Sequence, residues 1–421
     1  MNRYGKITVV LVAGILLGSC SATQREELAV GPWRGEFSID AEKVPFNFQV
    51  EDDTASLAKV YLVNGEERTP LDSVYYKGDS LVIPIPIYDA QLIGKIKGDS
   101  LSGYFRKNQV AKRGIAFRAA RNQDFRFEEV DKTTTQSVNG KWSVLLTSER
   151  DGKPSTRYTV GLFRQEGKKV TGTILTTTGD YRYLEGIVDG GQLKLSAFSG
   201  SNPTLIEASL TDSLHLTGEF ISPGGKVKLE AVKSDTARLP DPYTLTFLKD
   251  GYDRLSFSFP DLTGKKTSLS DEKYKGKVVI VTILGSWCPN CIDEASFLAP
   301  WYKQNKERGI EIVGLSFERK DDLNFARARL HTLIKRYDIQ YDILFAGQAD
   351  KKVVAEKLPE LNTFLSFPTT FFIDKEGKVR KVHTGYNGPA TGKYYEEFIE
   401  EFNAEVTALV NEPAGKPHAA L

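Results

Sequence analysis

A run of nearly unbroken β-branched and apolar residues, Val278-Val279-Ile280-Val281-Thr282-Ile283-Leu284, leads almost directly into Trp287-Cys288-Pro289-Asn290-Cys291. No other part of the chain constrains the fold as strongly. A run of this kind is buried on both faces, as in the centre of a sheet covered by helices. Cys291, Ala295, Leu298 and Tyr302 follow at spacings of four, three and four, the period of a helix. Cys288 therefore falls at a strand-to-helix junction, where unpaired amide N–H groups and the helix dipole favour a thiolate. Cys291, one turn in, is expected to be less exposed and to resolve a mixed disulfide formed on Cys288. Pro289 suits the first helical position because it has no N–H to leave unpaired. A zinc site normally needs four ligands, and the sequence holds no second CxxC and no paired histidines nearby. A structural disulfide closing so small a loop would add little stability. The pair reads as a redox-active dithiol.

The surrounding sequence, over 243–410, alternates strand and helix. A hairpin-like stretch covers 255–259 and 267–269, and further strands are expected over 310–317, 343–345, 369–373 and 378–383. One helix carries Leu323, Ala326, Leu330 and Leu333; a closing helix carries Tyr395, Phe398, Phe402, Val406 and Leu409 on one stripe. Such alternation argues for an α/β layered domain. Residues 411–421, with Pro413, Gly415 and Pro417, read as a disordered tail.

The first half has a different period. The 421 residues leave room for roughly two to four domains. From 31 to 235 apolar and polar residues alternate in short runs between turn residues, with no helix evident. The pattern occurs twice, over 31–128 and 138–235. Trp33 lies two residues after Gly31 and Trp142 two after Gly140, while Leu101-Ser102-Gly103-Tyr104-Phe105 matches Leu216-Thr217-Gly218-Glu219-Phe220. About eight short strands in each unit would close an antiparallel barrel or a lipocalin-like meander. Trp33 and Trp142 read as core residues at the barrel floor, and the units themselves as a spacer or docking surface.

At the N terminus, Arg3 and Lys6 precede an apolar run over 7–17, too short to span a bilayer as a mature helix. Residues 1–19 have the form of a secretory signal. The run ends Leu17-Gly18-Ser19-Cys20, which resembles the lipobox of bacterial lipoproteins. That resemblance implies cleavage before Cys20 and a lipid anchor on it, with 20–30 as lipidated cysteine and tether. Export would place the dithiol beyond the reducing cytosol. Lys and Arg total 56 against 55 Asp and Glu, so no global positive field draws the chain to nucleic acid. Four scattered histidines cannot build a His-rich metal cage, and neither metal nor cofactor is expected.

At the cysteine pair the sequence resembles the TlpA/ResA type of membrane-anchored, thioredoxin-like thiol-disulfide oxidoreductases, over about 256–410. The marks are Phe259-Pro260-Asp261-Leu262, the strand before WCxxC, Glu294 three residues beyond Cys291, and Phe367-Pro368-Thr369-Thr370. With this likeness the chain reads as multidomain: two tandem antiparallel β-barrel or lipocalin-like units, then an α/β thioredoxin-like domain over 243–410. The resemblance implies that Pro368 is cis and, beside Phe367, holds a partner's backbone against the cysteines. It also implies that Glu294 manages protons near the buried cysteine; the plainer reading is an ordinary first-turn helix acid. Trp287 reads as a flank that shields the sulfurs and touches partners, or as packing alone. Three departures bear on redox potential and partner choice. Thr282 stands where cytosolic thioredoxins keep a buried aspartate, Ser296 where many anchored relatives have proline, and Phe367 where cytosolic thioredoxins carry threonine. The implied protein is a lipid-anchored bacterial envelope enzyme, facing the periplasm or associated with the outer membrane. It would reduce disulfides in partners such as apocytochrome c, with a membrane thiol carrier as electron donor. Two other readings are a peroxiredoxin-like thiol peroxidase and a cell-surface binding module with an accessory redox domain.

Overall fold

The computed structural model describes residues 26–53, 58–71, 74–108, 114–130 and 136–413. The signal-like leader, Cys20 and most of the expected tail lie outside the described residues.

The first unit consists of β1 (Gly31–Ile39), β2 (Glu42–Glu51), β3 (Lys59–Asn64), β4 (Glu67–Pro70), β5 (Tyr75–Lys77), β6 (Ser80–Ile85), β7 (Ala90–Lys97), β8 (Ser100–Lys107) and β9 (Ile115–Arg121). Their order is β4-β3-β2-β1-β9-β8-β7-β6-β5. The expectation of a closed barrel fails here: β4 and β5 remain as edges, and no ladder joins them among the described residues. The physical reason lies outside the unit. Phe198, from the second unit, fills the concave face, with ring centroids 4.7 Å from Phe37, 5.0 Å from Phe105 and 5.4 Å from Phe46. Asn64, fully buried, fixes that intruder: its Nδ2 donates to the Phe198 carbonyl at 3.1 Å and its Oδ1 accepts the Phe198 N–H at 3.0 Å. A neighbour's aromatic side chain thus seals the apolar face that ring closure would otherwise seal.

The second unit does close. Its strands are β10 (Gly140–Arg150), β11 (Lys153–Glu166), β12 (Lys169–Thr176), β13 (Gly179–Asp180), β14 (Leu184–Asp189), β15 (Gln192–Ala197), β16 (Thr204–Leu210), β17 (His215–Ser222) and β18 (Gly225–Lys233). The order β11-β10-β18-β17-β16-β15-β14-β12 returns on itself because β11 also pairs with β12, from Val160↔Leu175 to Glu166↔Lys169. Closure leaves no open edge. The two-residue strand β13 hangs from β12 outside this ring. Trp33 and Trp142 are fully buried, as expected, and each indole N–H donates to the carbonyl four residues earlier, Ala29 at 2.9 Å and Val138 at 2.7 Å.

The C-terminal part opens with a hairpin, β19 (Ser258–Pro260) and β20 (Lys266–Ser268). Its sheet contains β21 (Val278–Leu284), β22 (Ile310–Glu318), β23 (Asp342–Gln348), β24 (Thr369–Ile373) and β25 (Val379–Thr384), in the order β23-β22-β21-β24-β25. The first three strands in sequence are parallel, and β24 and β25 run antiparallel to their neighbours. Four helices cover it: α1 (Pro289–Asn305), α2 (Leu323–Tyr337), α3 (Lys351–Lys357) and α4 (Lys393–Asn411). All of β21 is buried, and its two-residue period divides it between two cores. Val278, Ile280 and Leu284 join the core holding side chains of α1, α2 and α4. Val279, Val281 and Ile283 join the other, with Val354 of α3 and Phe257 and Phe259 at the hairpin. Thr282 shares the parity of the α1 face, so its side chain points towards that helix. This is the thioredoxin-like architecture. Helix α2 also reaches the first unit, where Arg329 donates to the carbonyls of Pro86 at 3.0 Å and Ile87 at 2.9 Å.

Candidate active site

The site begins at the end of β21. Cys288 caps α1: its Sγ accepts the Cys291 N–H at 3.3 Å, and Pro289 occupies the first helical position. An acceptor sulfur here satisfies one of the amides that a helix start leaves unpaired. Both cysteines are buried, Cys288 at 6 % exposure and Cys291 at 2 %, and their sulfurs are not bonded to each other. Burial pushes the Cys291 thiol well up, and the adjoining Cys288 adds to the effect. The Phe367-Pro368 peptide is cis, and the Cys288 thiol donates to the Phe367 carbonyl at 3.3 Å. Trp287 is half-buried; its indole N–H donates to the Phe317 carbonyl at 3.0 Å, and its ring meets Phe367 edge-on at 5.2 Å. Arg319 lies over the same indole at 4.9 Å. The structure therefore brings Trp287, Cys288, Pro289, Cys291, Phe367 and Pro368 together.

Glu294 belongs with them. One turn beyond Cys291, it points inward and is 2 % exposed. Thr282 of β21 and Thr370 of β24 are register partners, and both hydroxyls donate to the Glu294 carboxylate at 2.6 Å. The buried carboxylate that Thr282 cannot supply from the strand arrives instead from the helix. Burial pushes Glu294 up to about 7 against the two hydroxyl bonds, from 4.5 when free. Between those values the fold retains a proton that the unfolded chain has lost, so stability falls as pH rises through the window. Glu294→Gln is thus expected to raise stability at pH 8 by up to ~3 kcal/mol and to change little at pH 4. Urea denaturation at the two pH values measures this; an equal effect at both would show that ionisation is not the cause.

Several residues here carried no signal in the sequence. The turn from β12 to β13 of the second unit lies against the start of α1. Ser366 donates its hydroxyl to the Thr178 carbonyl at 3.2 Å. With its amide oriented to satisfy both groups, Asn290 accepts the Asp180 N–H at 3.1 Å and donates to the Asp180 carbonyl at 3.2 Å. Gly179, at φ +139°, permits the approach: a Cβ there would fall 1.6 Å from the end of the Asn290 side-chain amide. The Gly388 N–H donates to the Asp180 carboxylate at 2.7 Å. Arg182 then joins Asp293 of α1 to Glu67 of β4, so one guanidinium links all three units. Burial pushes Asp293 up to about 7 even beside that cation. Among the described residues, no group of three or more His, Cys, Asp or Glu side chains is placed to hold a metal ion.

A β-branched central strand, a capped CxxC helix and a facing cis-proline loop define a thioredoxin-like redox enzyme. The comparisons place it more narrowly. The pattern of the AhpC/TSA family matches residues 251–382. The thiol-disulfide oxidoreductase ResA of Bacillus subtilis is 32 % identical over 138 residues, 33 % of this chain and 69 % of the relative. ResA of Bacillus thuringiensis subsp. konkukian is 30 % identical over 151 residues, 36 % of this chain and 77 % of the relative. Among solved structures, the thioredoxin domain of a thiol-disulfide oxidoreductase from Bacteroides vulgatus is 25 % identical over 36 % of this chain and 99 % of that one, with a TM-score of 0.28. The chain belongs to the ResA family of thiol-disulfide oxidoreductases.

Proposed function

We propose that the protein reduces disulfides in partner proteins through Cys288 and Cys291. The observation that carries this is the placing of Cys288 Sγ at the cap of α1, between the Cys291 amide and the carbonyl of the cis Phe367-Pro368 peptide. The Cys288 thiolate attacks one sulfur of the partner's disulfide, and the other leaves as a thiolate and takes a proton. Cys291 then loses its proton and attacks Cys288 Sγ, so the enzyme pair is oxidised and the partner leaves as a dithiol. Glu294, one turn along, is the acceptor for the Cys291 proton. Trp287 shields the sulfurs, Pro289 sets the helix start, and Phe367 with Pro368 holds the partner's backbone. A dithiol donor must restore the enzyme, and a membrane thiol carrier is the proposed source.

The cell envelope of a bacterium is the proposed location, with lipidated Cys20 as anchor after removal of 1–19 and residues 20–30 as tether. Disulfide-bearing envelope proteins, apocytochrome c among them, are the proposed partners. The residues over 31–128 and 138–235 are read as tandem repeats; the matching indole bonds of Trp33 and Trp142 support that reading. Residues 243–410 form the redox domain.

The test is trapping. Cys291→Ser in the native cell is expected to hold partners as mixed disulfides on Cys288, released by reductant and identified by mass spectrometry. Failure of any thiol-dependent adduct to accumulate would count against the scheme. The match to the AhpC/TSA pattern favours one second reading, a thiol peroxidase, and hydroperoxide consumption by the reduced protein decides between them.

A further inference from the structure

The cysteine does not open onto a free surface, and what stands opposite it is the second unit. A cleft of about 590 Å³ has Trp287, Cys288 and Phe367 on one side. Arg157, Tyr158 and Thr176, from β11 and β12, form the other. Thr178 closes one end through its bond from Ser366, and the Asn290–Asp180 pairing keeps the wall in register with α1. Lys351 lines the cleft as well, and no Asp or Glu does. Arg157 is exposed on β11. Arg319 adds a third positive charge above Trp287; the adjoining hollow that it lines holds Lys107 and Arg329 together with the carboxylates of Asp89 and Glu318, so the unbalanced charge is that of the cleft itself.

We infer that this walled, cationic slot selects its substrate: a disulfide carried on an extended, acidic segment, threaded singly between barrel and cis-proline loop, in preference to one on a folded surface. The inference rests on the reading that Cys288 attacks disulfides. Two physical points support it. A cleft with a fixed second wall admits one extended chain with main-chain groups exposed, while a convex protein surface meets the barrel first. Positive charge in a walled cleft raises the local concentration and encounter rate of anionic segments, and salt weakens the effect.

The test uses the reduced full chain and three neutral-leaving probes that release 2-thiopyridone: dipyridyl disulfide, and two peptides with one cysteine coupled to 2-thiopyridine, flanked by glutamates or by lysines. The glutamate peptide is expected to react about tenfold faster than the lysine peptide at low ionic strength, with the ratio shrinking in salt. Arg157→Glu should bring the ratio to one or below. Gly179→Ala, which forces the wall off α1, should raise the rate with insulin relative to the glutamate peptide. Equal peptide rates in the wild type, or ratios untouched by both substitutions, overturn the inference. Inertness of the wild type towards dipyridyl disulfide would instead overturn the reading of Cys288.

Discussion

Cys288→Ser is expected to reduce insulin, with dithiothreitol as donor, no faster than the uncatalysed background. A loss on the order of 10³-fold or more is expected, because removing the attacking group of a covalent mechanism leaves only binding. The geometry says why the remaining thiol cannot substitute. Cys291 is 2 % exposed and faces the cap, and burial and the neighbouring sulfur hold it protonated. Cys291→Ser should differ in kind: its Cys288 still attacks, so single-turnover formation of adduct survives and only release is lost. Turbidity assays of the two variants, with quenched adduct formation beside them, check this pair. A Cys288→Ser protein that reduces insulin at the normal rate would sink the assignment of the nucleophile, and with it the scheme.

What could be read in advance was local. The run over 278–284 and the CxxC at its end place a strand, a cap and a helix within about twenty residues, and period alone assigns their faces. The same holds for Trp33 and Trp142, whose burial follows from alternation along β1 and β10. Short elements were missed: α3 has seven residues, two turns, too few to show a helical stripe. Distant contacts were missed altogether. The first unit's failure to close depends on Phe198, 134 residues from the Asn64 that fixes it. The role of Thr282 depends on Glu294 arriving from another element, and on Thr370 standing beside it in register. The threonine-rich turn at 176–178 looks like any polar turn until it is seen against Cys288. Each of these depends on a pairing between elements, and no period within one element encodes that.

Arg182 makes the largest such pairing, and Arg182→Ala is expected to loosen the whole junction. Its side chain is 17 % exposed, those of Asp293 and Glu67 12 % and 11 %, and its guanidinium is the cation they share. Removing one member of a buried ion group leaves uncompensated charge, at a cost of about 3–5 kcal/mol. The loss should depend on pH with a definite sign. Burial already pushes Asp293 up to about 7 and raises Asp180. Without the cation both rise further, so near pH 5 they take up protons and the defect is mild, while at pH 8 the buried charge must be endured or neutralised against the solution. Arg182→Lys should recover only part, because a single ammonium nitrogen cannot replace the two in-plane N–H groups that reach Asp293 and Glu67 from separate guanidinium nitrogens. Urea midpoints at both pH values measure the cost. Hydrogen exchange over 177–183 and 289–296 locates it, since the wall of the cleft and the start of α1 should lose protection together. Unchanged exchange in both segments at pH 8 would mean that the barrel stays seated without Arg182, and that the bonds of Asn290 and Gly388 to Asp180 and of Ser366 to Thr178 hold the wall over Cys288.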